Sequence, residues 1–371
     1  MIPMMNTKAI GYITANYAGN EPSKLLENRP VAALPFLGRY RLIDFPLSNM
    51  TNAGIHTVGL AMPGNWRSIA DHVGHGGDFQ LDRKIGGLYT FPGNPYGTTK
   101  RGMRFLLRDI ISNRELFERS DAPYVVVMGA NIIFNMDLNE VIDAHERSGV
   151  GITMLYVKAE RKHSDASRLI IGDAGRVQKV EPGCEYGDNK FIDCFIINRD
   201  LLLDIIKHYA NADYLDFFEA IAGDMARIDV CSYEYKGLAI GIFGERSYYE
   251  RSMELLAPTV YDQLFQKDRP IRTKAHDAAP AKYYAGSNVA NSFVSAGSKI
   301  HGTVRNSILS RNVIVESGAN VTNSIIMYGC VIKRGARVEN AIIDKNNVVP
   351  ENTEYRGTPD AIMVIGKGTR L

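Results

Sequence analysis

The chain has 371 residues, 45% of them hydrophobic and 23% charged, with a formal net charge of +2 at pH 7. This length and composition predict a globular protein with enough apolar material for two buried cores. The small net charge and the absence of a basic arm argue against nucleic acid as a partner, and no apolar stretch approaches the roughly 20 residues that span a bilayer.

Two further features indicate the compartment. The chain begins with MIPMMNTK, which lacks the charged and apolar regions of a signal peptide. Four cysteines are scattered without the spacing of a zinc site or a disulfide framework, so we expect reduced core residues: Cys184, Cys194, Cys231 and Cys330. Together these features predict a cytoplasmic protein without membrane association.

The first 280 residues alternate strand patterns with helix patterns. Apolar strand candidates are TVGLAM, YVVVMG at Tyr124–Gly129 and GITMLYVK, and a helix is predicted over about 138–148, ended by Gly149. This order predicts βα units that build a doubly wound, mostly parallel sheet. Because such sheets bind ligands at the carboxyl ends of their strands, we expect chemistry after Thr14 and after Met128.

A different period begins after residue 280. Four copies of one phrase follow at spacings of 15, 17 and 17 positions: VANSFV at Val289, VRNSIL at Val304, VTNSII at Val321 and VENAII at Val338. Aliphatic residues recur every six positions within them, which is typical of a parallel β-helix built from hexapeptides. A series of plain β-hairpins is the alternative, but its turn dipeptides and period-two alternation are mostly absent.

The phrase GRYRLIDFPLSNMTNAGI at Gly38–Ile55, together with this two-part organisation, resembles the glucose-1-phosphate adenylyltransferase (ADP-glucose pyrophosphorylase) family of bacterial glycogen synthesis. The resemblance covers essentially the whole chain. It implies a nucleotidyltransferase-like α/β domain over 1–255, a linker over 256–285 and a left-handed β-helix domain over 286–371. The apolar residues of the phrase also suit a helix that simply packs on the sheet.

In that family a glucose-1-phosphate oxygen attacks the α-phosphate of ATP, and pyrophosphate leaves. The protein positions two anions and neutralises their charge with Mg²⁺ and cationic side chains. The family's phosphate loop, G-G-x-G-x-R-L, aligns here with Asn16 and Tyr17 at the first two glycines, Gly19 at the third and Glu21 at the arginine. With a small gap, Lys24 replaces that arginine, although a solvated loop lysine is the simpler interpretation.

Further positions of the family pattern are also changed. Arg29 is kept, but a family lysine aligns with Val31. The two aspartates that hold Mg²⁺ in the family align with Ala130 and Gly241, and Asp137 suits a helix N-terminus better than a metal site.

The resemblance therefore implies a chain without catalytic or metal-binding residues of its own. It is similar to the noncatalytic D-type subunit that some Gram-positive bacteria carry beside a catalytic subunit, which would hold the Mg²⁺ in a mixed tetramer. An active sugar-1-phosphate nucleotidyltransferase with altered substrate or metal use is one alternative, and a stand-alone sensor of sugar phosphates or nucleotides is another. The expected vestigial nucleotide pocket contains Gly19, Lys24, Arg29, Arg101 and Gly102.

A second expected site lies in the repeat region. Five basic residues there predict an anion-effector site, since the family's cleft between the two domains holds phosphorylated effectors: Arg305, Arg311, Lys333, Arg334 and Arg337. The alternative is that these side chains are solvated edges of the β-helix that prevent end-to-end stacking.

Overall fold

The computed structural model describes residues 8–17, 23–91, 105–211, 216–224 and 227–369. It contains an α/β domain followed by a parallel β-helix, which confirms the predicted fold class. No helix in these ranges has the length and apolar character needed to cross a membrane.

The first domain is built on a mixed sheet with helices around it. Its strands are β1 (Ala9–Thr14), β2 (Pro35–Phe36), β3 (Tyr40–Arg41), β4 (Thr57–Ala61), β5 (Gly87–Phe91), β6 (Tyr124–Gly129), β7 (Ile132–Ile133), β8 (Ile152–Lys158), β9 (His163–Ile171), β10 (Val177–Cys184), β11 (Asn189–Asn198), β12 (Val230–Glu234) and β13 (Ile240–Gly241). Its helices are α1 (Asp44–Asn52), α2 (Arg67–Val73), α3 (Leu107–Ser112), α4 (Glu115–Glu118), α5 (Leu138–Ser148), α6 (Arg199–His208), α7 (Phe217–Ile221), α8 (Glu245–Glu254) and α9 (Pro258–Leu264).

The sheet combines a parallel half with an antiparallel insertion. Strands β5, β4, β1 and β6 are parallel neighbours in that order, and β11 follows β6 in the antiparallel direction. β8 and β12 then continue parallel to each other, while β9 and β10 form an antiparallel extension. The carboxyl ends of β1 and β6 therefore meet at one edge, as the βα order predicts.

Capping residues in the local sequence determine where helix α5 begins and ends. The side chain of Asp137 accepts a hydrogen bond from the backbone N–H of Asn139 at 2.9 Å, and Gly149 ends the helix with φ +66°. Both are standard caps, because a carboxylate satisfies an orphan N–H and glycine tolerates the left-handed conformation. This confirms the predicted helix and the predicted role of Asp137 at its N-terminus.

The β-helix consists of three parallel ladders, one on each side. The first ladder contains β14 (Lys282–Tyr283), β17 (Lys299–Ile300), β20 (Ile314–Val315), β23 (Val331–Ile332) and β26 (Val348–Val349). The second contains β15 (Asn288–Ala290), β18 (Thr303–Arg305), β21 (Asn320–Thr322), β24 (Arg337–Glu339) and β27 (Glu354–Arg356). The third contains β16 (Phe293–Val294), β19 (Ile308–Leu309), β22 (Ile325–Ile326), β25 (Ala341–Ile343) and β28 (Met363–Ile365).

The repeated phrase marks one corner of each coil. Its valines are in register along the second ladder, where Val304 pairs with Val321 and Val321 with Val338. The asparagine two positions later has a positive φ in every copy, between 44° and 47°, which asparagine tolerates better than most residues. The next serine bonds between coils, since the N–H of Ser324 donates to Oγ of Ser307 at 3.1 Å.

The third ladder joins the two domains. Its strands carry adjacent aliphatic residues, of which one points into the β-helix and the other into the core of the first domain. Ile325, for example, packs with the first domain, whereas Ile326 packs inside the coil. The outer face of this ladder is therefore a buried interdomain interface. Within the predicted linker range 256–285 lie helix α9 and strand β14, so paired coil structure begins at Lys282.

Candidate functional site

Two clefts contain the residues of interest. The first, here the strand-end cleft, lies where β1 and β6 end and is formed by residues 16–17, 130–131 and 241–243. The second, the interdomain cleft, lies between the first domain, the segment 274–278 and the β-helix.

The structure brings together Ala130 and Gly241, the two positions that align with the family's metal-binding aspartates. Strands β7 and β13 pair so that Gly241 lies opposite Ile132, and the N–H of Ile242 donates to the carbonyl of Asn131 at 2.8 Å. Ala130 directly precedes this ladder and is 2% exposed. Because alanine and glycine side chains offer no oxygen ligand, these two positions do not fit Mg²⁺, which requires oxygen donors.

An aromatic ring occupies the space beside Gly241. A Cβ at Gly241 would lie 2.4 Å from Cε2 of Phe243, which is closer than real contacts allow. Phe243 is buried, and its ring centroid is 5.8 Å from that of Tyr17 in an edge-to-face arrangement. Tyr17 itself aligns with a glycine of the phosphate loop. Two packed rings therefore stand where the family pattern requires a carboxylate and a close backbone approach.

Two carboxylates near this cleft accept hydrogen bonds from asparagine side chains. Asn16 donates through Nδ2 to Asp109 on α3, and Asn131 donates through Nδ2 to Asp193 at 3.0 Å. Burial raises the pKa of Asp109 to about 6. In the part of the chain that the structure describes, no group of three or more His, Cys, Asp and Glu side chains is arranged to hold a metal ion.

Three basic side chains lie near Phe243, and the ring centroid of one of them, His163, is 6.3 Å from that of Phe243. Lys190 and Arg251 are both buried, and Nε2 of His163 lies 3.5 Å from the guanidinium of Arg251. Burial, followed by the charge of Arg251, lowers the pKa of Lys190 to about 8. Burial and the nearby cations lower the pKa of His163 to about 4. The side chain of Lys190 donates to the carbonyl of Ala239 at 3.3 Å.

Three residues of the predicted nucleotide pocket, Gly19, Arg101 and Gly102, lie outside the described ranges, as does Glu21, which aligns with the family's arginine. The remaining residues have partners elsewhere. Lys24 is exposed, and its Nζ donates to the carbonyl of Val364 in the last coil at 3.2 Å. Val31 is buried in the core of the first domain.

Arg29 lies at the contact between the two domains. Its guanidinium pairs with the carboxylate of Asp344 in the β-helix, and the two side chains are 5% and 0% exposed. The hydroxyl of Tyr249 adds a hydrogen bond to the carbonyl of Asn323 at 2.7 Å. Arg29 is thus a cation of the domain interface, because its buried charge needs a carboxylate that the β-helix supplies.

Gly38, the first residue of the GRYRLIDF phrase, also belongs to this interface. Its φ is +77°, and a Cβ would lie 2.3 Å from Oγ of Ser295 and 3.0 Å from the carbonyl oxygen of Leu309. The backbone of the first domain therefore touches the β-helix at a place where only glycine fits without a shift.

The interdomain cleft is open and basic. One cavity of about 340 Å³ is lined by Arg39, Arg41, Arg311 and Lys345, with Asp277 as the lining carboxylate among the described residues. A neighbouring cavity of about 410 Å³ shares Arg39 and Arg311. Burial lowers the pKa of Arg41 and of Arg311. The carboxylate of Asp44 partly offsets this for Arg41, while Arg29 and Arg311 repel its charge, and Arg39 repels that of Arg311. An anion entering this cleft would relieve that repulsion.

The five basic residues predicted as one anion site do not form one cluster. Arg305 and Arg337 lie in the second ladder, where Arg337 pairs with Glu354 at 3.6 Å. Lys333 and Arg334 follow β23 of the first ladder. Only Arg311 of the five lines the interdomain cavities described. The reason is that residues a few positions apart in a β-helix project from different sides of the coil.

Sequence reasoning missed several contributors to these clefts, of which four are instructive. Phe243 and Lys190 carry no motif, and their positions depend on β13 and β11 returning to the ends of β1 and β6. Arg41 and Lys345 are 304 positions apart in sequence, yet they line the same cavity. One feature of the sequence could have predicted the contact between the domains. Adjacent aliphatic pairs in the repeats indicate a strand that is covered on both faces.

Comparisons with known proteins agree with this architecture. Residues 25–180 match the family description "Nucleotidyl transferase", and residues 279–357 match "GlmU-like, C-terminal hexapeptide". The chain is 34% identical to the glycogen biosynthesis protein GlgD of Bacillus subtilis (strain 168), over 98% of this chain and 97% of that protein. GlgD of Geobacillus stearothermophilus is 34% identical over 85% and 84%, and the glucose-1-phosphate adenylyltransferase of Mycoplasma mobile is 27% identical over 84% and 83%.

Proposed function

Because the chain belongs to the GlgD family, which is related to the glucose-1-phosphate adenylyltransferases, we propose that it acts in bacterial glycogen biosynthesis as a regulatory, noncatalytic subunit. In this proposal it associates with a catalytic relative in a mixed tetramer in the cytoplasm. The observation that carries the proposal is the strand-end cleft, where Ala130 and Gly241 stand at the metal positions and the ring of Phe243 covers Gly241.

The chemistry explains why these replacements matter. Transfer of a nucleotidyl group builds charge on the phosphates, and the enzyme lowers the barrier by neutralising that charge with metal ions and cations. The catalytic relative would hold the Mg²⁺. Among the described residues, Asp109 and Asp193 are two carboxylates close to this cleft, and each already accepts a hydrogen bond from an asparagine amide.

The regulatory role would be a coupling free energy between subunits. A subunit that stabilises the active conformation of its neighbour by 1–3 kcal/mol changes apparent activity or effector affinity by roughly 5–150-fold. The buried interface between the two domains of this chain supports that role, since it links the first domain firmly to the β-helix. A rigid subunit can transmit a small shift from one contact surface to another.

The first test is an adenylyltransferase assay on the purified chain with ATP, glucose-1-phosphate and Mg²⁺. We expect a rate at least about 10³-fold below that of the catalytic relative, since loss of metal stabilisation costs several kcal/mol. The variant Ala130→Asp/Gly241→Asp should not restore activity, because Phe243 fills the space beside residue 241. Robust turnover by the purified wild-type chain would instead support the alternative of an active nucleotidyltransferase.

The second test is co-expression with the catalytic relative from the same organism, followed by light scattering and kinetics. We expect a mixed tetramer whose kinetics differ from those of the catalytic subunit alone. If the two chains never co-purify and mixing leaves the activity unchanged, the partner proposal fails and a stand-alone sensor becomes the better explanation.

We also propose that the interdomain cleft binds a phosphorylated anion, because Arg39, Arg41 and Arg311 line one open cavity there. Calorimetry with inorganic phosphate and with sugar phosphates tests this. Arg311→Gln should weaken binding at least fivefold, whereas Arg337→Gln should not, since Arg337 lies in another ladder beside Glu354. No heat at millimolar ligand would leave Arg311 as an edge residue of the β-helix, as the alternative predicts.

A further inference from the structure

Lys345 is a basic residue of the interdomain cleft. The proposed function assigns it no role. It lines the cavity of about 340 Å³ and directly follows Asp344, the partner of Arg29. Its amino group has no carboxylate within ion-pair distance among the described residues, although Asp344 is its neighbour in sequence. A lysine in this position is held partly out of water and among other cations.

The cations around Lys345 favour binding of an anion in the cavity, and they also favour the uncharged form of the Lys345 amine. Arg39 and Arg41 approach from the first domain, Arg311 from the β-helix and His276 with Asp277 from the segment between them. Burial, followed by the charges of Arg41 and Arg29, lowers the pKa of Lys345 to about 8. At pH 7.5 about a quarter of such amines are uncharged, against about one in a thousand for an ordinary lysine at 10.5.

We propose that Lys345 is an acylation site, modified by small acyl phosphates whose phosphate group binds to the arginines of the interdomain cleft. This inference rests on the proposed anion binding in that cleft. An acyl phosphate suits the site because its anionic half is what the arginines recognise and its carbonyl carbon is what an amine attacks. No enzyme or oxidant is required.

The step balances as a simple acyl transfer. The uncharged Nζ attacks the carbonyl carbon, a C–N bond forms, and the bond from the carbonyl carbon to the phosphate oxygen breaks. Inorganic phosphate leaves with the electron pair, and the proton released from Nζ passes to water. The arginines assist because they stabilise negative charge on the leaving phosphate.

Acylation would change the cleft. It converts a cation into a neutral amide that is also larger, so the modified chain should bind phosphate more weakly than the unmodified chain. The position beside the Arg29–Asp344 pair places this change at the contact between the two domains. The chain would thus respond to acyl phosphate by altering its effector affinity.

The experiment treats the full-length chain with acetyl phosphate at pH 7.5 and follows each lysine by peptide mass spectrometry. We expect Lys345 to be acetylated at least tenfold faster than Lys299, an exposed lysine in β17. Inorganic phosphate should slow the reaction at Lys345 and not at Lys299. Equal rates at the two lysines would overturn the proposal.

Variants separate docking from intrinsic reactivity. Arg311→Gln should slow acetylation at Lys345 by acetyl phosphate at least threefold, while Arg337→Gln, which alters a charge outside the cleft, should not. With the uncharged donor acetic anhydride, Arg311→Gln should have little effect. If both donors respond equally to Arg311→Gln, phosphate docking is wrong. Lys345→Arg should leave the protein folded without a modifiable amine there.

Calorimetry distinguishes this proposal from the one on which it rests. If phosphate binds and Lys345 is not preferentially acetylated, the acylation proposal fails alone. If phosphate does not bind and Lys345 is not preferentially acetylated, both proposals fail.

Discussion

Cationic side chains lie near both the strand-end cleft and the interdomain cleft. The two clefts differ in whether aromatic side chains or open space lie next to these cations. Near the strand-end cleft, Lys190 and Arg251 are buried, the ring of Phe243 packs against that of Tyr17, and the ring of His163 lies 6.3 Å from Phe243. In the interdomain cleft, Arg39, Arg41 and Arg311 line an open cavity. Among the described residues, aromatic side chains pack together in the first cleft, whereas the second is a cavity with room for an anion. The difference supports the proposal that an anion binds in the interdomain cleft.

Contacts between the two domains hold the walls of the interdomain cleft in place. Arg29 and Asp344 are buried on one side of it, and Gly38 lets the two backbones approach closely. These contacts fix the distance between the arginines of the first domain and Arg311 of the β-helix.

The interdomain side of the comparison is tested most strongly by Asp344→Asn. We expect a loss of about 3–5 kcal/mol in the free energy of unfolding, because Arg29 keeps its buried charge without a counter-ion. Urea titration monitored by circular dichroism measures this. The double variant Arg29→Met/Asp344→Leu should recover most of the loss, since it removes both charges. A cost below 1 kcal/mol for Asp344→Asn would show that the pair does not hold the cleft.

A second test concerns the close approach at Gly38. Gly38→Ala should destabilise the protein by about 2–3 kcal/mol, because it combines a positive φ with a clash against Ser295 and Leu309. Gly64→Ala is the matched control, since nothing lies within 4 Å of a Cβ there, and we expect a change within about 0.5 kcal/mol. Equal effects of the two substitutions in thermal unfolding would contradict the described contact.

The closed cleft is tested by Lys190→Met. The pKa of Lys190 is about 8 in the folded chain and 10.5 in the reference state, so the unfolded chain binds more protons between these values. Stability from this group therefore rises as the pH increases from 8 to 10.5. We expect Lys190→Met to be more stable than wild type by about 2 kcal/mol at pH 7.

That advantage should shrink as the pH approaches 10.5. Urea titrations of both proteins at pH 7, 8.5 and 10 measure the difference, and Lys162→Met, at an exposed lysine beside Glu185, serves as the control. A stability difference that is constant with pH would show that the charge of Lys190 does not oppose folding.

The smallest expected effect belongs to His163. Its pKa is about 4 in the folded chain against 6.5 for free histidine, so the unfolded chain gains a proton first as the pH falls. Stability from this group is present above pH 6.5 and is lost as the pH falls towards 4. Because the ring is only half-buried, His163→Gln should reduce the acid destabilisation by less than about 1 kcal/mol. Urea titrations between pH 7 and pH 4 measure this, with His75→Gln, at an exposed histidine, as the matched control.

The sequence by itself determined the features that depend on neighbouring residues. The period of the valines predicts the coils of the β-helix, the apolar run Tyr124–Gly129 predicts a central strand, and Asp137 with Gly149 predicts the ends of α5. The identities of Ala130 and Gly241 alone exclude carboxylate ligands at those positions. Periods, caps and side-chain identities are local properties, so they can be recognised without knowing the fold.

The tertiary structure decided which distant residues meet. Arg29 pairs with Asp344 across 315 positions, Phe243 lies over Gly241 beside Tyr17, and Arg311 separates from the other basic residues of its repeat. Each outcome follows from the packing of the third ladder on the first domain and from the return of β13 to the end of β6. Such contacts depend on the relative placement of whole surfaces, and a charge or ring in the sequence does not indicate which surface it will face.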